Sequence, residues 1–291
     1  MDPNETSRTQ AGVIRVEQLR AWLVLARASN LPTVWSNCIA AYLLGGGNSS
    51  ATLLLLCVAA SLLYTGGMFL NDVCDVVFDR QYKTDRPIIT GGVTRRGAGL
   101  AALILLLAGV FLLAAINPRT LLFGGILALL IIAYDLVHKR ISWAPVLMAG
   151  CRFLLYLSAA SAGPAGVTPR AFGFAIGLGF YVVGLSYLAR GETRALRTSA
   201  PWLLMLFAPM IVGLALNFTA FTLFCALPLL LWIFYGRTVA KQNVGRAVAI
   251  LLAGIVLVDL LAVSPLSILL WLGFAALFGA TLLFQRYVPA T

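Results

Sequence analysis

The most informative residues are three aspartates that follow the second long apolar run, within the segment NDVCDVVFD at residues 71–79. If the apolar helix continues through this segment, spacings of three and four residues place Asn71 or Asp72, Asp75 and Asp79 on one face. Carboxylates grouped at the water end of a membrane helix repel one another, so they are costly unless a cation lies among them. Mg²⁺ prefers oxygen ligands and bridges to substrate phosphates, so the segment predicts a site of this kind.

A short basic segment follows the aspartates directly. Lys83 and Arg86 precede Pro87, and the segment ends in the glycine pair Gly91 and Gly92. Two cations beside a metal-binding acidic face can bind a diphosphate, and the proline and glycines allow the chain to fold back over the site. The alternative is a solvated helix end of mixed charge, which each aspartate taken singly would fit.

The elements that must position these residues are membrane helices. Hydrophobic residues make up 61% of the 291-residue chain and charged residues only 11%, whereas a soluble domain needs about a quarter of its residues charged. We predict an all-α, polytopic transmembrane helical bundle of nine helices, or ten if the last two apolar runs are separate spans. We also predict a flexible cytoplasmic tail at residues 1–14 and a single membrane-embedded domain at residues 15–291. The apolar runs lie at residues 21–45, 51–70, 97–116, 120–137, 143–162, 171–189, 201–217, 219–236, 246–263 and 265–285.

The positive charges are divided unevenly between the two sides of the predicted bundle. Of the 21 Lys and Arg residues, all but Arg119, Arg152 and Arg170 fall on the side of the amino terminus when the runs are threaded through a membrane. The positive-inside rule makes that side cytoplasmic, and we expect a multi-pass protein of a bacterial cytoplasmic membrane. Because the net charge of +11 lies in short loops between apolar runs, it indicates membrane lipids rather than nucleic acid as partners. No obligate protein partner is indicated.

The acidic and basic segments together resemble the first signature of the UbiA superfamily of intramembrane prenyltransferases, NDxxDxxxD followed by a basic loop ending in RPI and glycine. The resemblance is specific over residues 71–92 and covers nearly the whole chain in the order of its apolar runs. It implies a nine-helix bundle that transfers an isoprenyl group from a prenyl diphosphate to an aromatic or lipid-forming acceptor. The residues it implies are Asp72, Asp75 and Asp79 for Mg²⁺, Lys83 and Arg86 for the diphosphate, and Asn71 for the substrate.

Such enzymes carry a second acidic motif at the cytoplasmic end of the sixth helix, where this chain reads SYLARGET at residues 186–193 and has Glu192 as its only carboxylate. We hypothesise that Arg190 binds the diphosphate in place of a second metal, because arginine binds phosphate oxygens in a bidentate manner. Glu192 is placed beside it in the substrate site. This form of the motif is similar to that of a less understood branch that includes the EboC-like proteins. The alternative function is a non-catalytic isoprenoid-binding or metabolite-export component.

Four further residues are candidates for the substrate site. Tyr134 and Lys139 end the fourth run and resemble the family's pattern there, although Lys139 would equally serve to fix orientation. Arg152 lies about 15 Å into the fifth run, where an arginine faces either a polar cavity or an ion-pair partner such as Asp259. Asn37 interrupts the first run near a proline, which predicts a kinked helix whose polar side faces the bundle interior.

Cysteine and histidine usage indicates no other site. None of the five cysteines forms a CxxC pair, so we predict that they are buried packing residues. The single histidine, His138, has no partners for a metal site and is assigned no role.

Overall fold

The computed structural model describes residues 17–194, 201–264 and 268–290, and this part of the chain contains helices and no β-strand. The predicted all-α class is confirmed. The tail predicted at residues 1–14 lies outside the described residues. The helices are α1 at residues 17–25, α2 at Leu31–Leu44, α3 at Ser50–Tyr82, α4 at Arg95–Ala114, α5 at Pro118–Val137, α6 at Ala144–Ser161, α7 at Pro169–Arg194, α8 at Ala208–Leu216, α9 at Ala220–Ala240, α10 at Val244–Val263 and α11 at Ile268–Phe284.

Seven of these helices, α3 to α7 with α9 and α10, are long and apolar enough to cross a membrane. The others are shorter: α2 has 14 residues, α8 continues a 3-10 helix at Pro201–Phe207, and α11 has 17 residues. The described part of the chain contains eleven α-helices rather than the predicted nine or ten, because the first apolar run is divided into α1 and α2.

The kink predicted in the first run is a complete break. After α1 the backbone turns at Arg27, whose φ of 44° lies in the left-handed region, and passes through a 3-10 turn at Ala28–Asn30. α2 then begins with a proline in its first turn, where the missing N–H would have no helical partner in any case. The break brings the Arg27 side chain against α3.

Helices α7 and α10 form the centre of the bundle. Of their most apolar stretches, 72% and 83% respectively are buried, whereas only 28% is buried in α4 and in α5. The buried hydroxyl of Tyr181 in α7 donates a hydrogen bond to the carbonyl oxygen of Leu251 in α10 at 2.8 Å. The peripheral helices therefore turn most of their apolar surface outward, as lipid requires.

Helix α3 is held to α4 by close backbone contacts. A Cβ atom at Gly66 would lie 3.1 Å from the carbonyl oxygen of Ala102, and one at Gly109 would lie 2.7 Å from the side chain of Leu63. The 33 residues of α3 extend about 50 Å, well beyond a hydrocarbon core of about 30 Å. Its carboxyl end, which carries the aspartates, can therefore project past the apolar layer.

Candidate functional site

The aspartates of α3 lie on one continuous helix, as predicted, and they are buried. Asp72, Asp75 and Asp79 expose only 2%, 8% and 4% of their surface, so they are not splayed into solvent. Asn71 donates from Nδ2 to Oδ1 of Asp135 in α5 at 3.0 Å. Buried carboxylates require compensating partners, and these partners define the site.

Asp72 is held by arginines from two loops. Nη2 of Arg27 lies 3.1 Å from Oδ1 of Asp72, and Nη1 of Arg86 lies 4.0 Å from Oδ2. Arg27 also donates to Oδ1 of Asn71 at 3.3 Å and to Sδ of Met68 at 2.9 Å. Two buried atoms remain without a hydrogen-bond partner, Oδ2 of Asp72 and Nε of Arg27. The pair therefore keeps one acceptor and one donor available.

Asp75 is held by two side chains at the end of α5. Nε2 of His138 lies 3.2 Å from Oδ1 of Asp75, and Nζ of Lys139 lies 3.1 Å from Oδ2. Nδ1 of His138 lies 3.2 Å from the carbonyl oxygens of Tyr134 and Asp135. The ring of His138 therefore lies between the backbone of α5 and the carboxylate of Asp75. Lys139 also lies over the ring of Phe78, with Nζ 4.0 Å from the ring centroid.

Asp79 has no side-chain hydrogen bond or ion pair with any residue that the structure describes. Arg86 in the basic loop lies near enough for its charge to act on this carboxylate. Asp79 as a residue is 4% exposed, but its oxygens are not among the fully buried atoms that lack a partner, so the carboxylate keeps some accessible surface. Asp79 is thus the aspartate that is most available for a cation.

The basic loop packs against α1, where a Cβ atom at Gly92 would lie 3.2 Å from Cβ of Ala21. Backbone N–H groups of Ile89 and Thr90 donate to the carbonyl oxygen of Arg86 at 2.9 and 3.0 Å, and Gly91 has a φ of 83°. Arg86 is buried, whereas Lys83 is exposed at the surface. Partial desolvation and then the nearby charges of Arg86 and Arg27 lower the pKa of Lys83 below its ordinary value. An anion placed between these cations would relieve their mutual repulsion.

The donor atoms suit Mg²⁺ in chemistry but are not assembled around one point. Within the described residues, no three His, Cys, Asp or Glu side chains lie close enough together to hold a metal ion. Oδ2 of Asp72 and Oδ2 of Asp135 are buried without partners, and carboxylate oxygens are the ligands that Mg²⁺ prefers. A carboxylate oxygen can accept more than one contact, so Asp75 can bind the ion while His138 and Lys139 orient it. The residues therefore fit the ion.

The residues predicted for the second motif have a different setting. Arg190 donates to three backbone carbonyl oxygens of the α5–α6 loop, those of His138, Ile141 and Ser142. The side chain of Glu192 lies outside the described residues. Tyr134 stacks on His138 with their ring centroids 4.9 Å apart, so it borders the acidic site.

Arg152 and Asp259 do not form the direct ion pair that was considered for them. Asn37 lies between them: its Oδ1 accepts from Nη1 of Arg152 at 2.7 Å, and its Nδ2 donates to Oδ2 of Asp259 at 2.7 Å. Arg152 also donates to Oγ1 of Thr33 at 3.0 Å, and its guanidinium lies 5.9 Å above the ring of Tyr64. Both polar atoms of the Asn37 side-chain amide are therefore bonded within the bundle, whereas Arg152 keeps some exposed surface.

Sequence reasoning missed two members of the site. Arg27 is one of many arginines that the positive-inside rule explains, and only the backbone break turns it toward Asp72. His138 lacks metal-binding neighbours in the sequence, but it lies beside the aspartates in space. Its place at the end of the fourth run, directly before Lys139, was the available signal.

The fold and the site define a multi-pass membrane protein with a buried acidic face opposed by arginine, lysine and histidine. Comparison with known families agrees: the chain matches the UbiA prenyltransferase family over residues 29–246. The chain belongs to the UbiA prenyltransferase family.

Two relatives by sequence are digeranylgeranylglyceryl phosphate synthases of archaea. That of Ignicoccus hospitalis is 36% identical over 157 residues, covering 53% of this chain and 51% of the relative. That of Methanoculleus marisnigri is 30% identical over 120 residues, covering 41% of this chain and 43% of the relative. The chain thus spans about half the length of these relatives, and the expected bacterial source finds no support among them.

Solved structures show the same fold. A UbiA homologue from Aeropyrum pernix K1 superimposes with a TM-score of 0.67 at 14% identity, covering 84% of this chain and 99% of the homologue. A UbiA homologue from Archaeoglobus fulgidus bound to GPP and Mg²⁺ superimposes with a TM-score of 0.53 at 15% identity, covering 92% and 97%. At these identities the likeness establishes the fold alone.

Proposed function

We propose that the protein transfers an isoprenyl group from a prenyl diphosphate to a lipid-type acceptor, in a Mg²⁺-dependent reaction on the cytoplasmic side of the membrane. The observation that carries the proposal is the buried face of Asp72, Asp75 and Asp79. It lies against Arg27 and Arg86, and each side keeps an atom without a partner. Such a site is incomplete without a ligand that carries both positive and negative charge, which describes a metal–diphosphate group.

The three aspartates would hold Mg²⁺ through carboxylate oxygens, with Asp75 oriented by His138 and Lys139. When bound with the diphosphate, the ion would neutralise the negative charge of the leaving group. The A. fulgidus homologue, whose structure contains GPP and Mg²⁺, supports a prenyl diphosphate and Mg²⁺ as the ligands to test.

Arg27, Arg86 and Lys83 would bind the diphosphate oxygens. When the allylic C–O bond breaks, its electron pair departs with the diphosphate, and the fixed guanidinium groups stabilise the charge that develops there. The acceptor's nucleophilic atom then forms a bond to the allylic carbon and loses its proton. Tyr134, whose ring lies beside the site, is placed to stabilise the cationic carbon through its π face.

The acceptor is proposed to be a lipid because of the names of the relatives. Digeranylgeranylglyceryl phosphate contains two geranylgeranyl groups on glyceryl phosphate, so the singly prenylated compound is the first acceptor to test. Arg152 is proposed to face the acceptor through its exposed surface, with Asn37 orienting its guanidinium. Glu192 and Arg190 lie near the end of α7, where Arg190 donates to the α5–α6 loop.

The proposal is tested with purified protein, labelled geranylgeranyl diphosphate, Mg²⁺ and geranylgeranylglyceryl phosphate. We expect a labelled product, loss of turnover after chelation of Mg²⁺, and a fall of about 10²–10³-fold in turnover for Asp75→Asn. Asp85→Asn is a matched control, because Asp85 is exposed in the adjacent loop and its turnover should be unchanged. Absence of product and of diphosphate release with every acceptor tried would exclude the transferase.

A second function, isoprenoid binding without turnover, is favoured by one observation. Arg190 is committed to backbone carbonyls, and Glu192 is the single carboxylate in residues 186–193, so the second motif lacks the paired carboxylates that the resemblance implies for a transferase. Tight binding of geranylgeranyl diphosphate without any release of diphosphate would identify this function.

A further inference from the structure

The loop between α5 and α6 is tied to the end of α7 through Arg190. Nη2 of Arg190 donates to the carbonyl oxygens of His138 and Ile141 at 2.5 and 3.0 Å, and Nη1 donates to that of Ser142 at 2.6 Å. One guanidinium group thus donates hydrogen bonds to three carbonyl groups within the five-residue turn at residues 138–142.

The chemistry of a helix end explains why a cation lies here. His138 is the residue that ends α5, and the last carbonyl groups of a helix have no partner within it. The helix dipole also makes this end negative, so a guanidinium is favoured over a neutral donor. Its planar fork can donate to several oxygens at once, which a lysine ammonium does less well.

The turn that Arg190 holds is the one that supplies the partners of Asp75. The carbonyl group bound by Arg190 belongs to His138, whose ring reaches Asp75 at 3.2 Å, and the next residue is Lys139, which reaches it at 3.1 Å. Holding this peptide group in place therefore fixes the backbone from which the side chains of His138 and Lys139 extend.

We propose that Arg190 is a positioning residue, which acts on the acidic face by holding the α5–α6 turn so that His138 and Lys139 reach Asp75. It differs from the diphosphate ligand expected from the sequence, because its effect passes through the turn rather than through a phosphate oxygen. The inference rests on the proposed function, since the setting of Asp75 matters to binding only if Asp75 belongs to the diphosphate site.

The test is a double-mutant cycle on the full chain in detergent. The ligand is geranylgeranyl thiolodiphosphate with Mg²⁺, an analogue that binds without reacting, and the dissociation constant is measured for wild type, Arg190→Ala, Lys139→Ala and the double variant. We expect each single change to weaken binding by about 10-fold or more. We expect the double variant to bind like Arg190→Ala alone, because residues that act through one another are not additive.

Two results would overturn the inference while the wild type still binds. If the double variant weakens binding by the product of the two single effects, Arg190 acts independently of Lys139. If Arg190→Ala binds like wild type, the contact with the turn is only structural. Failure of the wild type to bind the analogue would instead overturn the proposed function and the inference with it.

Two further variants complete the experiment. Arg140→Ala is the matched control, because Arg140 is exposed in the same turn and should leave binding unchanged. Arg190→Lys keeps the charge but donates to fewer carbonyl groups, so binding between that of wild type and Arg190→Ala is expected. Should Arg190→Ala fail to fold, Arg190→Lys carries the same cycle with Lys139→Ala. Hydrogen exchange at residues 138–142, faster in Arg190→Ala, would show that the turn itself is released.

Discussion

Two groups of buried charges in this protein are built in opposite ways. At the end of α3, Asp72 contacts Arg27 and Asp75 contacts Lys139 directly, each at 3.1 Å. In the middle of the bundle, Arg152 and Asp259 are kept apart by Asn37, which bonds to both. The first group will be called the acidic face (Asp72, Asp75 and Asp79) and the second the mid-bundle cluster (Arg152, Asn37 and Asp259).

The difference follows from the kind of partner that surrounds each group of charges. Around the acidic face the partners are side chains from separate loops, Arg27, Arg86 and Lys139, and each contacts one part of the carboxylate group. In the mid-bundle cluster the partners lie on packed helices, and the neutral amide of Asn37 bonds to both charged groups. Direct contacts with cations from several separate loops thus indicate a site for a charged ligand. Pairing through a neutral amide indicates a fixed element of the fold.

The largest expected effect is on the free energy of unfolding, and it tests the structural role of the mid-bundle cluster. Asp259→Leu leaves Arg152 charged within a span, and we expect a loss of about 3–5 kcal/mol in the free energy of unfolding. Asp79→Asn should change it by less than about 1 kcal/mol, because Asp79 has no described partner to lose. Denaturation in detergent micelles measures both. The double variant Asp259→Leu with Arg152→Leu should be more stable than Asp259→Leu alone, and equal or greater loss would contradict a compensating role.

A second experiment measures how much Arg27, a partner of the acidic face, contributes to ligand binding. Arg27→Ala removes two hydrogen bonds to Asn71 and Asp72 and a cation that would bind diphosphate. We expect binding of the thiolodiphosphate analogue to weaken by about 1.5–3 kcal/mol, the range for hydrogen bonds to charged groups. Arg20→Ala, on the exposed surface of the preceding helix α1, serves as the control. Equal effects of the two changes would show that Arg27 contributes only general charge.

The smallest expected effect is a pH dependence of binding. The pKa of Lys83 is lowered in the free protein, and a bound diphosphate should raise it. Between the two pKa values binding takes up a proton, so affinity falls as pH rises through the free-state pKa of Lys83. We expect a change of no more than about 10-fold, which corresponds to one pKa unit. Lys83→Arg stays charged throughout this range, so its affinity should not show the fall; an identical pH profile would assign it to another group.

The sequence predicted the membrane bundle and the acidic face because both depend on local patterns. Apolar runs identify helices in lipid, and spacings of three and four residues place Asp72, Asp75 and Asp79 together on whichever helix carries them. The partners of these aspartates could not be predicted in the same way. Arg27 reaches Asp72 only through a left-handed turn, and His138 reaches Asp75 only because α5 packs beside α3. Asn37 likewise gives no sign in the sequence that it separates two charges.

The close contact between α3 and α4 links distant parts of the molecule. Gly66 lies 13 residues before Asp79 on the same helix, a distance of about 20 Å. If a bulkier side chain at Gly66 or Gly109 forced the two helices apart and tilted α3 by roughly 5°, the far carboxylate would move by roughly 1.7 Å, more than the ~1 Å misplacement that can cost about 10²-fold in rate. Inherited changes in these glycines would thus disable chemistry at a distance, in a protein that still inserts and folds.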